Sequence, residues 1–319
     1  MKATIRSFTG ADLLPVVAVW NAANHADPIT VARFRNLILA DPNFDASGLQ
    51  VAEVNGEVVG ALYGVRRLTA HFGSDLQAGT GWIPFFAVHP EHQRAGIGTK
   101  LFEAARLWFS ERGVNRVHFS SYTPNYIVPG LDREAYPGAF AWLTALGFTV
   151  QYEAVAMDRL LVDYRMPEHI AQHIQDLRGR GYELRAATDQ DVPELISLAG
   201  DSFNPDWARG IREALTGGLG IDAITIARTP EGPLVGWAMH GTYEGMTERF
   251  GPFGVRDDQR GTGLGKVLLH LTLEHMRASG AHNAWFLWTD ENSPAGHLYR
   301  AAGFSVTRRF SVMTAALSS

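Results

Sequence analysis

Two short runs of this chain carry the residue types that can hold an anion with backbone alone. They are Gln93-Arg94-Ala95-Gly96-Ile97-Gly98, followed by Thr99, and Arg260-Gly261-Thr262-Gly263-Leu264-Gly265, followed by Lys266. Glycine serves where φ turns positive and where a Cβ would block a close approach. A glycine bend opening into a helix lets several N–H groups converge on one negative group, aided by the helix dipole. The chain has 28 Lys and Arg residues, yet only Lys2, Lys100 and Lys266 are lysines, and two of those three begin the helices behind the bends. A cation there opposes the helix dipole at a cost of about 0.3–1 kcal/mol. A bound anion supplies a reason for it.

The elements that would position these bends repeat. Ile97, Leu101, Ala104, Ala105 and Trp108 share one helical face, as do Leu264, Val267, Leu268 and Leu271. Gly113 and Gly280 stop the two helices. Apolar strands precede the bends at 83–88 and 250–255, and further strands follow at 114–121 and 284–288. Val88 and Val255, like Gly96 and Gly263, are 167 positions apart. Ile5-Arg6 with Thr9 and Asp12 matches Leu184-Arg185 with Thr188 and Asp191, each a strand running into a capped helix. Gly60 pairs with Gly236, and Gly147-Phe148 with Gly303-Phe304. The unequal offsets place extra residues in the first copy, before its bend and after its last shared strand. Two homologous domains are expected: 1–162, with an insertion near 122–138, and 182–319, joined by a linker helix over 163–181.

Composition bounds the rest. A chain of 319 residues with 46% hydrophobic residues can bury two ordinary cores. A formal charge of −5 gives no basic field for nucleic acid. Zero cysteines exclude disulfides, thiolate zinc sites and a cysteine nucleophile. The apolar stretch 13–20 holds Pro15 and is too short to span a bilayer, and the start of the chain has no signal-peptide pattern. A soluble, cytoplasmic, monomeric protein is the expectation, with no membrane, nucleic acid or metal partner.

Two better-known phosphate loops fail on these residues. A nucleotide-hydrolase loop would need Gly at Arg260 and Ser or Thr at Val267. A dinucleotide fingerprint would need Gly at Leu101 and Leu268. What both copies match is the Gln/Arg-x-x-Gly-x-Gly pattern, and the second adds Asn292, Ala295, Leu298, Tyr299, Gly303 and Phe304 at the spacing Asn-x-x-Ala-x-x-Leu-Tyr-x-x-x-Gly-Phe. In these features the chain resembles the GCN5-related N-acetyltransferase family, in tandem over nearly its whole length. The resemblance implies an α+β fold with two domains, each a mixed, mainly antiparallel sheet that splays and is flanked by helices. Acetyl-CoA would be the cosubstrate, with no metal. Its diphosphate would rest on the amides of Arg260, Gly261, Thr262, Gly263, Leu264 and Gly265, or of Gln93, Arg94, Ala95, Gly96, Ile97 and Gly98, with Lys266 and Thr99 as adjoining cofactor-binding candidates.

For chemistry, an ammonium acceptor must lose a proton before its nitrogen attacks a thioester. The resemblance implies Tyr299 as proton donor to the leaving thiolate, Asn292 on the pantetheine arm and the amide of Val255 aimed at the thioester carbonyl, with Val88 and Asn125 as further cofactor-binding candidates in the first copy. Glu248 and Glu244 are the candidate bases, with His240 behind them. His89, His92, His270 and His275 read as packing or surface residues, since no cluster has metal spacing. The first copy has Leu143 where the second has Tyr299. Its insertion, with Asn125, Tyr126, Pro129-Gly130 and Asp132, leaves open a replacement hydroxyl from Tyr126, a pocket cover, or a surface hairpin. The expected function is transfer of an acetyl group to a primary amine, with the second copy catalytic. The acceptor is open: a small amine, a sugar amine, an aminoglycoside, an amino acid or a peptide amino terminus. The alternative is a non-catalytic acyl-CoA sensor or pseudoenzyme.

Overall fold

The computed structural model describes residues 3–317, so Lys2 lies outside it. The chain forms two compact units. The first runs to Ala154 and takes back the chain from Arg309 onward, and the second is Val155–Arg308. In chain order the elements are β1 (Thr4–Ser7), α1 (Leu13–Ala23), α2 (Val31–Phe34), β2 (Leu49–Val54), β3 (Glu57–Val65), β4 (Thr80–Val88), α3 (Ile97–Ser110), β5 (Arg116–Phe119), α4 (Pro137–Ala145) and β6 (Thr149–Leu160). There follow α5 (Glu168–Gly179), β7 (Glu183–Ala186), α6 (Val192–Ser202), α7 (Pro205–Thr216), β8 (Ile224–Arg228), β9 (Leu234–His240), β10 (Phe250–Val255), α8 (Leu264–Ala278), β11 (Asn283–Thr289), α9 (Pro294–Ala301) and β12 (Ser305–Ala316).

In the first unit β1, β2, β3 and β4 form an antiparallel ladder, with Thr4 opposite Glu53, Leu49 opposite Tyr63 and Gly60 opposite Val88. β4 then pairs parallel with β5, and β5 antiparallel with the end of β12, Met313 opposite Phe119. α3 covers one face with Leu101, Phe102, Ala105, Trp108 and Phe109, all buried. α1 and α2 cover the other, where the Trp20 ring stacks on Phe85 at 4.5 Å. Each such side chain contributes roughly 1.5–3 kcal/mol by leaving water, so the apolar face of each helix fixes which side of the sheet it takes.

The second unit repeats the plan. β7, β8, β9 and β10 are antiparallel, with Val255 opposite Gly236. β11 pairs with the second half of β6, Phe286 opposite Met157. α5, in the segment expected as a linker helix, buries Ile170, Ile174 and Leu177 in this unit's core with Leu268 and Leu273 of α8. The chain thus passes between units along two strands, β6 outward and β12 back. The 122–138 insertion is tied into the first unit, because Leu131 exchanges backbone hydrogen bonds with Ser311 at 2.9 and 2.8 Å.

Both copies open with the same ion-paired cap. Arg6 donates twice to Asp12 at 2.8 Å and Thr9 closes the capping box. Arg185 and Arg228 share Asp191, and Thr188 closes the second box. The Arg6 guanidinium holds the Asp12 carboxyl down at about 2, and Arg185 with Arg228 holds Asp191 below the usual carboxylate range. A carboxyl depressed in the folded state contributes its stability in full above the ordinary value near 4 and loses it as pH falls toward the folded value. Thermal unfolding should therefore shift to lower temperature between about pH 4 and pH 2. Asp191→Asn should cost about 3 kcal/mol at neutral pH and flatten that dependence, and wild-type unfolding of the variant at both pH values would contradict the assignment.

Candidate active site

The first unit builds a wedge. β4 and β5 are paired only from Thr80 opposite Arg116 to Ile83 opposite Phe119, after which β4 runs on to Val88 without β5 beside it. His89 gives its N–H to Val59 of β3 at 2.8 Å. Strand alternation then turns the Val88 N–H and C=O to the opposite, open edge. The Val88 carbonyl there accepts from the Gln93 side-chain amide at 2.9 Å, so Gln93 ties the bend to the strand end. Gly96 caps α3 in the left-handed region at φ 78°, where a side chain is strained, and nothing lies within 4 Å of where its Cβ would stand. The first bond into α3 runs from Lys100 N–H to Gly96 O, which leaves the amides of Ile97, Gly98 and Thr99 at the helix mouth without intrahelical acceptors.

The bend borders a cavity of about 740 Å³ whose lining includes Val88, Gln93, Arg94, Gly96, Gly98 and Thr99. Ala95, Ile97 and Asn125 are not among its lining residues. The cavity's apolar wall is Phe86 of β4 stacked on Trp142 of α4 at 4.9 Å. Its lining also includes Asn24, His25 and Tyr136, none of them singled out from sequence. The Tyr136 hydroxyl donates to Asp27 Oδ2 at 2.8 Å and accepts from the Ala26 N–H at 3.1 Å. The His25 ring meets Tyr136 edge-on at 5.5 Å. Leu143 is buried in the core. An open helix mouth beside Arg94, followed by an apolar wall, fits a cosubstrate with a diphosphate and a long uncharged arm.

The second unit reuses the geometry with different occupants. Arg256 gives its N–H to Val235 at 2.8 Å, so the Val255 amide likewise faces the open edge. β10 and β11 meet through one parallel bridge, Arg249 with Trp285. Phe253 and Leu298 stand over Gly265 as Phe86 and Trp142 stand over Gly98. Its bend satisfies itself more fully. Thr262 Oγ1 accepts from the Leu264 N–H at 3.3 Å, and His173 of α5 donates from Nε2 to the Thr262 carbonyl at 2.7 Å. Ala95 stands where Thr262 would, so the first bend has no such hydroxyl. Arg260 pairs with Asp257 in solvent, and Gly261 and Lys266 are exposed.

Tyr299 lies among Phe250, Phe253, Phe286 and Phe304, with Phe286 4.5 Å away. Burial pushes its hydroxyl well above the ordinary phenol value, so it stays protonated. Asn292 is exposed in the turn before α9, its N–H donated to Asp290 at 2.9 Å. Glu248 accepts the backbone N–H groups of His282 and Asn283 at 2.8 and 3.0 Å. Glu244 pairs with the buried Arg249 at 3.3 Å. Each glutamate thus has partners of its own. His240, lowered by burial, donates to Thr247 O and faces His275 at 3.2 Å. Burial also lowers His270 to about 4, where it meets the Tyr164 hydroxyl at 3.0 Å. Among the described residues no cluster of three or more His, Asp or Glu could hold a metal, and no helix is long and apolar enough to cross a membrane.

The chain matches the model of the acetyltransferase (GNAT) family over residues 18–127 and again over 206–304. It belongs to that family, as two copies in tandem, and is by class an N-acetyltransferase. It is 25% identical over 318 residues to the mycothiol acetyltransferase of Saccharomonospora viridis, covering 90% of this chain and 94% of that one. Its fold is similar to a tandem GNAT protein from the clavulanic acid biosynthesis pathway, with a TM-score of 0.67 at 18% identity, covering 100% and 99% of the two chains. It is also similar to the GCN5-related glucosamine N-acetyltransferase region of a fungal multi-domain β-N-acetylglucosaminidase, with a TM-score of 0.80 at 17% identity over 98% of this chain and 38% of that one.

The two bends differ in how they tolerate a side chain. A Cβ on Gly263 would sit 2.4 Å from His173 Nε2 in addition to the strain of φ 80°, whereas at Gly96 only the strain applies. Gly96→Ala should cost about 1 kcal/mol and Gly263→Ala distinctly more. Adding His173→Ala should recover part of the second loss and none of the first. Equal losses in thermal unfolding would refute the close approach.

Proposed function

We propose that this protein moves an acetyl group from acetyl-CoA to a primary amine of a small molecule or peptide by direct attack, with acetyl-CoA held in the first unit's cleft. The observation that carries this reading is the opening of the Gly96–Thr99 helix mouth directly into the 740 Å³ cavity. Bound there, acetyl-CoA would supply the thioester. Arg94 and the amides of Ile97, Gly98 and Thr99 would take the diphosphate. Phe86 and Trp142 would exclude water along the arm. The Val88 amide would meet the charge that develops on the carbonyl oxygen. That such transfer is the chemistry of tandem relatives named mycothiol acetyltransferase makes a sugar amine one admissible acceptor. A monomer agrees with an internal duplication.

A second reading places the transfer in the second unit. It is favoured by Tyr299, a phenol set among Phe250, Phe253, Phe286 and Phe304, which would give its proton to a leaving thiolate. A third, an acyl-CoA sensor, requires binding without transfer.

Calorimetry with CoA and a thiol-release assay with acetyl-CoA and a panel of primary amines separate these readings. Gly98→Val places a side chain against Phe86, whose ring lies 3.2 Å from the Cβ position, and should weaken CoA by at least about tenfold, or 1.4 kcal/mol. Tyr299→Phe should leave that affinity intact. Loss of turnover in Tyr299→Phe with wild-type CoA binding at the first bend would move the chemistry to the second unit, and undiminished CoA binding by Gly98→Val would remove the first cleft from the account.

A further inference from the structure

The first cleft has a carboxylate of its own at one remove. Asp27 lies in the turn between α1 and α2, and only 9% of its surface is exposed. The turn is held from three sides. The Trp20 indole donates to the Asp27 carbonyl at 2.7 Å, Asp27 N–H donates to Asn24 at 2.9 Å, and Ile29 N–H donates to Asn21 Oδ1 at 2.8 Å. Asp27 does not line the cavity, but Tyr136 does, and the Tyr136 hydroxyl points its proton at Asp27 Oδ2 from 2.8 Å. The ring is fixed by its place at the start of α4, where its N–H is given to Asp132 O at 2.9 Å.

We propose that Tyr136 is a catalytic residue of the first cleft and that Asp27, acting through it, is the positioning residue that finally receives the proton of the acceptor ammonium. This inference rests on the first cleft as the place of transfer. An ammonium beside Asn24, His25 and Tyr136 passes one proton to the Tyr136 oxygen as the phenol's own proton moves to Asp27 Oδ2 along their 2.8 Å hydrogen bond. The neutral nitrogen then attacks the thioester carbonyl. The C–N bond forms, the C–S bond breaks, and the sulfur leaves with the electron pair and takes the second proton from nitrogen. Asp27 returns its proton to solvent, so one ammonium and one thioester give one amide, one thiol and one released proton. The Ala26 N–H on the Tyr136 oxygen steadies the negative charge that passes over it. The charged or titratable neighbours are His25 in the same turn, Arg33 of α2, which reaches Ile127 O at 3.4 Å, Arg94 of the bend, which reaches toward Gly138, and Asp132 before α4. The phenol so placed is seven residues before the Leu143 that lacks one. It comes from the insertion's end and not from Tyr126.

The test uses the full chain with acetyl-CoA and two acceptors: ethanolamine, an ammonium at neutral pH, and methoxyamine, already a free base there. Asp27→Asn should lower kcat/KM for ethanolamine by roughly a hundredfold, abolish the rise of rate with pH on the acid side, and change methoxyamine turnover by less than about threefold. Tyr136→Phe should show the same split, and CoA affinity by calorimetry should not move in either variant. A structural role would depress both acceptors together. Equal losses for the two acceptors in both variants, or wild-type rates and pH profile in both, would overturn the relay. Should Asp27→Asn fail to fold, Tyr136→Phe carries the same comparison. Wild-type protein that binds CoA but releases no thiol with any amine of the panel would overturn the proposed transfer itself, and the relay with it.

Discussion

Two parallel strands held together for four residue pairs and then let go set the terms for the first cleft. Once β5 leaves β4 after Ile83, the edge of β4 from 84 to 88 keeps polar groups that no sheet partner satisfies. Buried backbone groups in that position are expensive to leave without partners. The chain meets the cost in part with the Gln93 side chain on Val88 O. The rest of the edge and the mouth of α3 remain open to a ligand with a run of hydrogen-bonding groups. The left-handed Gly96 is what turns the chain sharply enough to bring that mouth beside the strand end.

The duplication shows how the same framework is put to unequal use. Phe86 and Phe253, Trp142 and Leu298, and Gly98 and Gly265 hold equivalent places in the two units. In the second unit a threonine hydroxyl and a histidine from α5 take polar groups of the bend, and Ala95 gives the first bend no such hydroxyl. Position 143 is aliphatic where 299 is a phenol, while a phenol at 136 faces the first cavity.

The fold was legible in the sequence because its signals are local. A glycine bend between an apolar strand and an amphipathic helix states its own geometry, and a Thr-x-x-Asp box states the start of a helix. Two copies of each made the tandem family plain, and the strand ends at Val88 and Val255 follow from the same runs. What was not legible depends on contacts between distant residues. Asp27 and Tyr136 are 109 positions apart, and neither belongs to a motif. Glu248 reads as a loop carboxylate until the chain at 282–283 folds back upon it. The pairing of the end of β12 with β5 joins residues nearly two hundred apart, and no periodicity announces it.

Hydrogen exchange of the backbone amides with and without CoA tests the central claim most directly, since it reads the groups proposed to grip the diphosphate. CoA should slow exchange at Ile97, Gly98 and Thr99 and leave the amides of Leu264 and Lys266, already hydrogen-bonded within their own bend, little changed. Slowing confined to 261–266, or absent from both bends, would contradict the account.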